Sequence, residues 1–255
     1  MGKITLRLRT FFLIIFLLGS SLTYLTAKNK TVALSITGVE TPVSCFNGNN
    51  GAIDVSILGA VETYTVSWSG STSTSEDLSG LLAGTYIITV TDSENTVSQT
   101  FLISEPYLLT MQAATFTPVS CNGSSDGTIT AGTVAGGNSS YQYSIDGTNF
   151  QASNIFSGKP AATYTIYVKD SENCETSKNV TVTQPDVLIM DDPTFTPVSC
   201  NGASDGTITA GTVSGGNTNY QYSIDGINFQ ASNIFNGKPA AAYTITVKDS
   251  KNCST

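Results

Sequence analysis

The sequence contains no histidine, and its only arginines, Arg7 and Arg9, lie close to the amino terminus. Beyond Ala27, eight lysines stand against nineteen carboxylates, a net charge of −11. Recognition of a phosphate backbone needs clustered Lys and Arg, so nucleic-acid binding is not expected. An anionic membrane surface would also repel so acidic a chain. The composition leaves a neutral surface, a cation or a sugar as partners.

Beyond Ala27 the chain also lacks the apolar spacing of three and four residues that marks an amphipathic helix. It is rich instead in Thr, Val, Ile, Tyr, Gly and Ser, which favour strands and turns. Strict alternation occurs in segments such as 52–57, Ala-Ile-Asp-Val-Ser-Ile. The sequence therefore predicts an all-β protein.

A long apolar run occurs only near the amino terminus. Lys3, Arg7 and Arg9 precede the apolar residues 11–18, and small residues follow, an order typical of a secretory signal peptide over residues 1–27. Cleavage after Ser21 and cleavage after Ala27 both fit. An uncleaved anchor is the alternative, although the uncharged span is short for a membrane helix. Either interpretation places the remainder outside the cell, at the cell surface or secreted, with no membrane insertion once the signal is cleaved.

The chain is an internal array. Residues 115–174 return as residues 194–253 with nine of sixty positions changed, and residues 28–106 form a divergent first copy. A period of about eighty residues is too long for a solenoid unit and indicates tandem domains. We expect repeats at 28–106, 107–185 and 186–255. Because prolines close the short linkers between them, we also expect rod-like stacking.

Turn signals divide the second repeat into six predicted strands. Asp146-Gly147 is a typical hairpin dipeptide, and Gly136-Gly137 lies in a second loop. Strands at this spacing predict an immunoglobulin-like β-sandwich, in which Trp68 of the first repeat would lie on the third strand. The predicted strands are 111–117, 127–134, 141–145, 149–155, 163–169 and 175–183.

The five cysteines follow the repeat period. Cys121 and Cys174 are 53 residues apart, as are Cys200 and Cys253, whereas Cys45 has no such partner. If six strands reverse direction in turn, the loop after the first and the turn before the sixth lie at the same end. We therefore predict disulfides within repeats two and three, each contributing roughly 4 kcal/mol on the chain-entropy model, and an unpaired Cys45. Free buried thiols are the alternative, and two cysteines per repeat without histidine do not make a zinc site.

Three motifs carry a resemblance to a known family. They are V-S-C-N-G-x-x-D-G-T-I at 119–129, G-G-x-x-x-Y-x-Y-S at 136–144 and Y-T-I-x-V-K-D-S-x-N-C at 164–174. This frame resembles the SprB-type repeat of gliding-motility adhesins. The third repeat keeps it, and the first departs from it at Phe46, at Asn49-Asn50-Gly51 and at Thr96. The resemblance implies a large cell-surface protein, exported by the general pathway and then a type IX system, whose repeats form a stalk or adhesive surface and carry no catalytic residues.

Two patterns resemble enzyme motifs. Residues 123–127 and 202–206 match G-x-S-x-G, but a nucleophile elbow needs a strand-to-helix turn and a histidine base. Asp126, Asp146 and Asp170 recur in the third repeat, each beside Gly, Ser or Asn as in turns. We therefore expect turns at these places, no enzyme and no cofactor.

Calcium binding is a weaker alternative. Asp186, Asp191 and Asp192 lie at the boundary of repeats two and three, while Asp170 and Glu172 belong to an oxygen-rich turn. Carboxylates and carbonyls are the ligands that calcium prefers, but this spacing matches no EF-hand-like loop.

Sugar contact is a further possibility that the sequence leaves open. Tyr141, Tyr167, Asn138 and Asn149 have side chains able to stack on a sugar ring or hydrogen-bond to it. Tyrosine is equally common in the core of a sandwich, and the pattern does not distinguish these roles.

The third repeat stops at Thr255, where the second continues through 178–185. A missing last strand would leave an open edge, so we expect the sequence to be part of a longer protein. The interpretation that best fits the residues is a non-enzymatic surface array acting in adhesion, through a polysaccharide or protein ligand, or as a stalk. Alternatives are spacer repeats of a secreted polysaccharide-acting enzyme and a calcium-dependent glycan-binding module.

Overall fold

The computed structural model describes residues 32–255. All regular structure in this part of the chain is β, which confirms the predicted fold class. None of these residues forms a helix long and apolar enough to cross a membrane. The predicted signal peptide, residues 1–27, lies outside the described residues.

The first repeat is a sandwich of two three-stranded antiparallel sheets, ordered β1-β2-β4 and β3-β5-β6. Alternate residues of β2, Ile53 and Val55, are buried and face Ile88 and Val90 of β5, as the period of two requires. Its strands are β1 Ser35–Thr41, β2 Gly51–Leu58, β3 Thr65–Ser69, β4 Leu78–Leu81, β5 Gly84–Thr91 and β6 Thr96–Ile103.

Trp68 lies on the third strand of this repeat, as predicted, and is buried between the two sheets. Its ring centroid is 6.2 Å from that of Phe101, and its indole Nε1 donates a hydrogen bond to the Ser75 carbonyl at 2.9 Å. The buried polar atom is thus satisfied, as a tryptophan in a core requires.

The second repeat has two three-stranded sheets, ordered β8-β9-β12 and β11-β13-β14, and a short ladder of β7 with β10. Ile129, Ile166, Val168 and Val182 form the centre of its core and are almost completely buried. Its strands are β7 Thr110–Met111, β8 Thr115–Thr117, β9 Gly127–Thr130, β10 Val134–Ala135, β11 Gln142–Ser144, β12 Ile155–Lys159, β13 Ala162–Lys169 and β14 Glu175–Val182.

The third repeat keeps most of this arrangement, with sheets β16-β17-β20, β19-β21 and β15-β18. Among the described residues, Ser254 and Thr255 correspond to the start of β14, and Ser254 forms an isolated antiparallel bridge to Lys248. Of the named strands, β19 alone pairs with β21. Its strands are β15 Ile189–Met190, β16 Thr194–Thr196, β17 Gly206–Thr209, β18 Val213–Ser214, β19 Gln221–Ser223, β20 Ile234–Lys238 and β21 Thr246–Lys248.

The predicted strand at 149–155 is wrong. Only Gln151 pairs there, in an isolated antiparallel bridge to Tyr143, and a separate strand, β12, begins at Ile155. A turn separates the two, in which the Gln151 side-chain amide donates to the Ser153 and Ile155 carbonyls at 2.8 and 2.9 Å. The chain therefore crosses the sandwich once more than six alternating strands would.

Candidate functional site

The disulfides join neighbouring repeats, and the predicted pairing within repeats is wrong. Cys45 bonds to Cys174, and Cys121 bonds to Cys253. The free cysteine among the described residues is the exposed Cys200, not Cys45. We call the first bond and the contacts around it joint 1, and the second bond and its contacts joint 2. In each joint, the earlier repeat, which supplies Cys45 or Cys121, is the donating side. The later repeat, which supplies Cys174 or Cys253, is the receiving side.

The additional strand crossing made by β12 explains why the cysteines of one repeat do not bond to each other, because it places them at opposite ends of the sandwich. The loop with Cys121 lies beside the end of β14, where the Val119 amide donates to the Thr183 carbonyl at 3.1 Å. The turn before Cys174 instead lies beside the loop at Gly137, whose amide donates to the carbonyl of Tyr107 in the incoming linker at 2.7 Å. Each cysteine can reach only the adjacent repeat.

A buried carboxylate organises the receiving side of joint 1. Asp170 Oδ1 accepts from the amides of Glu172 and Cys174, both at 2.9 Å, and Oδ2 accepts from the Asn138 amide at 2.7 Å and its Nδ2 at 3.1 Å. Burial alone would raise the pKa of Asp170, but these hydrogen bonds outweigh it and hold the pKa below the ordinary value. The carboxylate stays ionised and fixes the turn that presents Cys174.

Asn138 also crosses the boundary between repeats. Its Nδ2 donates to the carbonyl of Ser44, the residue before Cys45, at 2.9 Å. Joint 2 repeats the contact, with Asn217 Nδ2 donating to Ser120 at 3.0 Å and to Asp249 Oδ2 at 2.8 Å. One amide thus couples the disulfide's neighbour in one repeat to the structural carboxylate of the next.

The linker is held on the donating side as well. In joint 1 the Glu105 carboxylate accepts from the Asn47 amide at 2.6 Å. In joint 2 the Gln184 side-chain oxygen accepts from the Gly123 amide at 3.0 Å, and Asn122 Nδ2 donates to the Pro185 carbonyl at 2.9 Å. These bonds tie the residues before and at the linker proline to the cysteine loop.

Glycine is required where the linker passes the receiving loop. Gly136 has φ +77°, and a Cβ there would lie 2.0 Å from the Leu108 carbonyl oxygen. Gly215 repeats this, with φ +72° and a Cβ that would lie 1.9 Å from the Val187 oxygen. A side chain at either position would force the linker away from the joint.

Repeat one lacks the receiving half of a joint. Asp92 organises a similar turn and accepts from the amides of Val61, Glu94 and Asn95. Val61 stands where the later repeats have asparagine, and Thr96 where they have cysteine. Repeat one therefore only donates to a joint, and repeat two both donates and receives.

The residues proposed for calcium are not brought together. Asp170 already accepts four hydrogen bonds and has no lone pair left for a cation. The side chains of Glu172, Asp186, Asp191 and Asp192 are exposed. Across residues 32–255, no three carboxylate, cysteine or histidine side chains converge into a metal-ligand group.

The residues proposed for sugar contact serve structural roles. Asn138 belongs to joint 1, and the Tyr141 hydroxyl donates to the Gly136 carbonyl at 2.7 Å. Asn149 Nδ2 donates to Asp146 Oδ2 at 2.7 Å within the Asp-Gly turn, and the Tyr167 ring packs over Gly147. The side-chain polar atoms of Asn138, Tyr141 and Asn149 thus make hydrogen bonds within the protein.

The G-x-S-x-G segments lie in turns, as the sequence indicates. The Ser124 amide donates to the Cys121 carbonyl at 3.0 Å, and Asp126 Oδ1 accepts from the Ser120 amide at 2.9 Å. Hydrogen bonds from Ser120 hold the pKa of Asp126 below its ordinary value. Asp205 and Ser199 repeat this arrangement in the third repeat.

Sequence reasoning missed the asparagines and the direction of the bonds. The repeat period fits two pairings equally, one within a repeat and one between the first cysteine of a repeat and the second cysteine of the next. The divergent repeat carried the available signal, because it has the first cysteine and lacks the second. A repeat with the first cysteine alone can bond to the repeat after it, as Cys45 does to Cys174.

These observations define a class of protein, an array of immunoglobulin-like β-sandwich repeats with a covalent joint between neighbours. The family model of the SprB repeat matches the chain three times, at residues 37–73, 113–150 and 193–229. The chain therefore carries three SprB repeats. No curated protein matches it in sequence.

Solved structures similar to this chain include three arrays. Titin domains I67–I69 are 12% identical, with 86% of this chain and 95% of that chain covered and a TM-score of 0.41. Sidekick-1 immunoglobulin domains 1–5 are 13% identical, with coverage of 89% and 59% and a TM-score of 0.35. The C-terminal 282-residue fragment of intimin, solved with the intimin-binding domain of its translocated receptor, is 15% identical, with coverage of 63% and 67% and a TM-score of 0.33.

Proposed function

We propose that this non-catalytic repeat protein is a stalk or adhesive array on the outside of a bacterial cell, where it serves surface attachment or gliding. The observation that carries the proposal is the covalent joint. A protein that only displayed independent binding modules would need no bond between them, whereas a protein under tension gains from joints that cannot separate.

The chemistry of the joints supports an extracellular site. Disulfides persist in oxidising compartments, and both joints depend on one. In this proposal residues 1–27 direct export, a type IX system completes secretion, and the units 28–106, 107–185 and 186–255 form a rod. The ligand is a surface polysaccharide or a protein, bound through exposed strand faces rather than through a catalytic cleft.

Deletion of the encoding gene in the source bacterium tests this function. We expect the deletion strain to attach less under flow or to spread less on a surface, and wild-type protein to restore both. A complementing protein with Cys45, Cys121, Cys174 and Cys253 replaced by serine matches it in everything except the joints. We expect that strain to display the protein but to detach at lower shear.

Two results would contradict the proposal. One is unchanged attachment and spreading in the deletion strain, and the other is recovery of the protein from the cytoplasm rather than the cell surface. Incubation of the purified chain with polysaccharides separately tests for catalysis, and we expect no release of reducing ends.

A further inference from the structure

The two disulfides overlap along the chain. In sequence order the bonded residues are Cys45, Cys121, Cys174 and Cys253, and the first bonds to the third while the second bonds to the fourth. The bonds are neither nested nor consecutive. Each disulfide is therefore a node at which two parts of the chain meet: Cys45–Cys174, in joint 1, is one node and Cys121–Cys253, in joint 2, is the other. Each of three chain segments runs from one node to the other.

These three segments differ in length. Residues 45–121 contribute 76 residues, residues 121–174 contribute 53, and residues 174–253 contribute 79. Tension on the two ends of the array loads all three in parallel. The nodes cannot separate further than the shortest segment allows, however much of the other two remains folded.

We propose that the overlapping disulfides make the array a tether with a fixed limit of extension, set by residues 121–174. At roughly 3.3–3.6 Å per residue, that segment spans about 180 Å when fully extended. The full path from Cys45 to Cys253, 208 residues, would span about 720 Å. The bonds thus withhold 155 residues, 208 less 53, from extension.

The same connectivity makes the repeats yield together. The first segment contains β2–β6 of repeat one with β7 and β8 of repeat two, the second contains β9–β13 of repeat two, and the third contains β14 with β15–β21 of repeat three. All three must lose structure before the nodes move apart, because each segment is folded between the same two points. Unfolding repeat two alone cannot bring the joints to the full extension of residues 121–174, because repeat one stays folded within residues 45–121 and repeat three within residues 174–253.

Single-molecule stretching of residues 28–255, held at both ends in a Cys200→Ser background, tests this limit. We expect the two nodes to reach a separation of about 180 Å in the oxidised protein, and Cys45 and Cys253 to reach about 720 Å in the reduced protein. Cys121→Ser with Cys253→Ser leaves one bond and a free path of 79 residues, about 270 Å. Residues outside 45–253 add the same length in every case.

The alternative pairing has its own length. Bonds within repeats, Cys121–Cys174 and Cys200–Cys253, would leave 76 and 26 extensible residues, together about 350 Å, and this is measured with Cys200 restored. That value, or an oxidised protein that extends as far as the reduced one, would overturn the proposal. The proposal takes its physiological meaning from the proposed stalk function, but the measurement needs no ligand or cell, so each can fail without the other.

Discussion

Repeats two and three have almost the same sequence in different surroundings. Over sixty aligned positions they differ at nine, yet residues 162–169 form an eight-residue strand and the matching stretch of repeat three keeps only Thr246–Lys248. The difference in strand length follows from the presence or absence of a pairing strand. Strand β13 pairs along its whole length with β14, and repeat three has no such strand among the described residues.

Burial changes with the pairing. Ile129, Ile166 and Val119 are buried in repeat two, whereas their counterparts Ile208, Ile245 and Val198 are half-exposed in repeat three. A cavity of about 370 Å³ opens at that place, lined partly by Phe195, Ile208 and Ile245. These residues therefore form a full-length strand only when a neighbouring strand supplies the other half of the ladder and of the core.

The largest expected effect comes from a substitution that disrupts β14, the strand that pairs with β13 in repeat two. Val182→Asp places a charge where the valine is almost fully buried, which we expect to destabilise repeat two by about 4 kcal/mol or more. Hydrogen exchange of the Ile166 and Val168 amides should then resemble that of Ile245 and Val247. The control is Ser177→Asp on the exposed face of the same strand, which should cost less than about 0.5 kcal/mol. Unchanged exchange in Val182→Asp would show that β14 does not stabilise β13.

The second effect concerns the joints, which should be equivalent although repeat three is less complete. We expect replacement of Cys45 and Cys174 by serine, or of Cys121 and Cys253, to lower the free energy of unfolding by about 4 kcal/mol in each case. Denaturant titration measures this. Peptide mapping of the oxidised wild type should recover the two pairs between repeats, and a thiol reagent should label Cys200 alone. A Cys121–Cys174 peptide would refute the joint.

A smaller effect is expected at the bridging asparagines. Asn138→Ala and Asn217→Ala each leave a serine carbonyl and a structural carboxylate short of a donor, so each should cost about 1–2 kcal/mol. Thermal unfolding measures both variants, with Ser139→Ala, next to the first asparagine, as the control. A cost at one joint and none at the other would mean that the joints differ despite their shared geometry.

The smallest effect is a dependence on pH. Asp170 and Asp249 have pKa values below the ordinary one in the folded state, because hydrogen bonds outweigh burial. Their contribution is therefore present above the unfolded pKa of about 4 and is lost as pH falls through the folded pKa. We expect the melting temperature to fall with acid in that range. Carboxyl NMR titration assigns the effect, and an Asp170 pKa at or above 4 would contradict it.

Much of the fold follows from local pattern. Alternation predicted the strands at 163–169 and 175–183, which the structure places at Ala162–Lys169 and Glu175–Val182. Trp68 was expected on the third strand of repeat one and lies on β3. The strand at 149–155 was misplaced, because Ser153 and Asn154 form a turn through side-chain contacts that apolar alternation does not reveal.

That one misplaced strand is the reason why the predicted disulfide pairing was wrong. Each reversal moves the next loop to the opposite end of the sandwich, so a miscounted crossing turns a bond within a repeat into a bond between repeats. The sequence predicts the local chemistry of the joint, namely the cysteine spacing and the turn-forming Asp, Asn and Gly residues. The partner of each cysteine was not, because it depends on where distant strands end.

The repeat, the all-β class, the acidic charge and most of the turns follow from the amino-acid sequence alone, since each depends on residues close together in the chain. Only the tertiary structure decided which cysteines meet, that Asn138 crosses to Ser44, and how far a strand such as Thr246–Lys248 extends. The physical reason is that ladders and disulfides need two partners in one place, and the parity of strand crossings decides which partners arrive there.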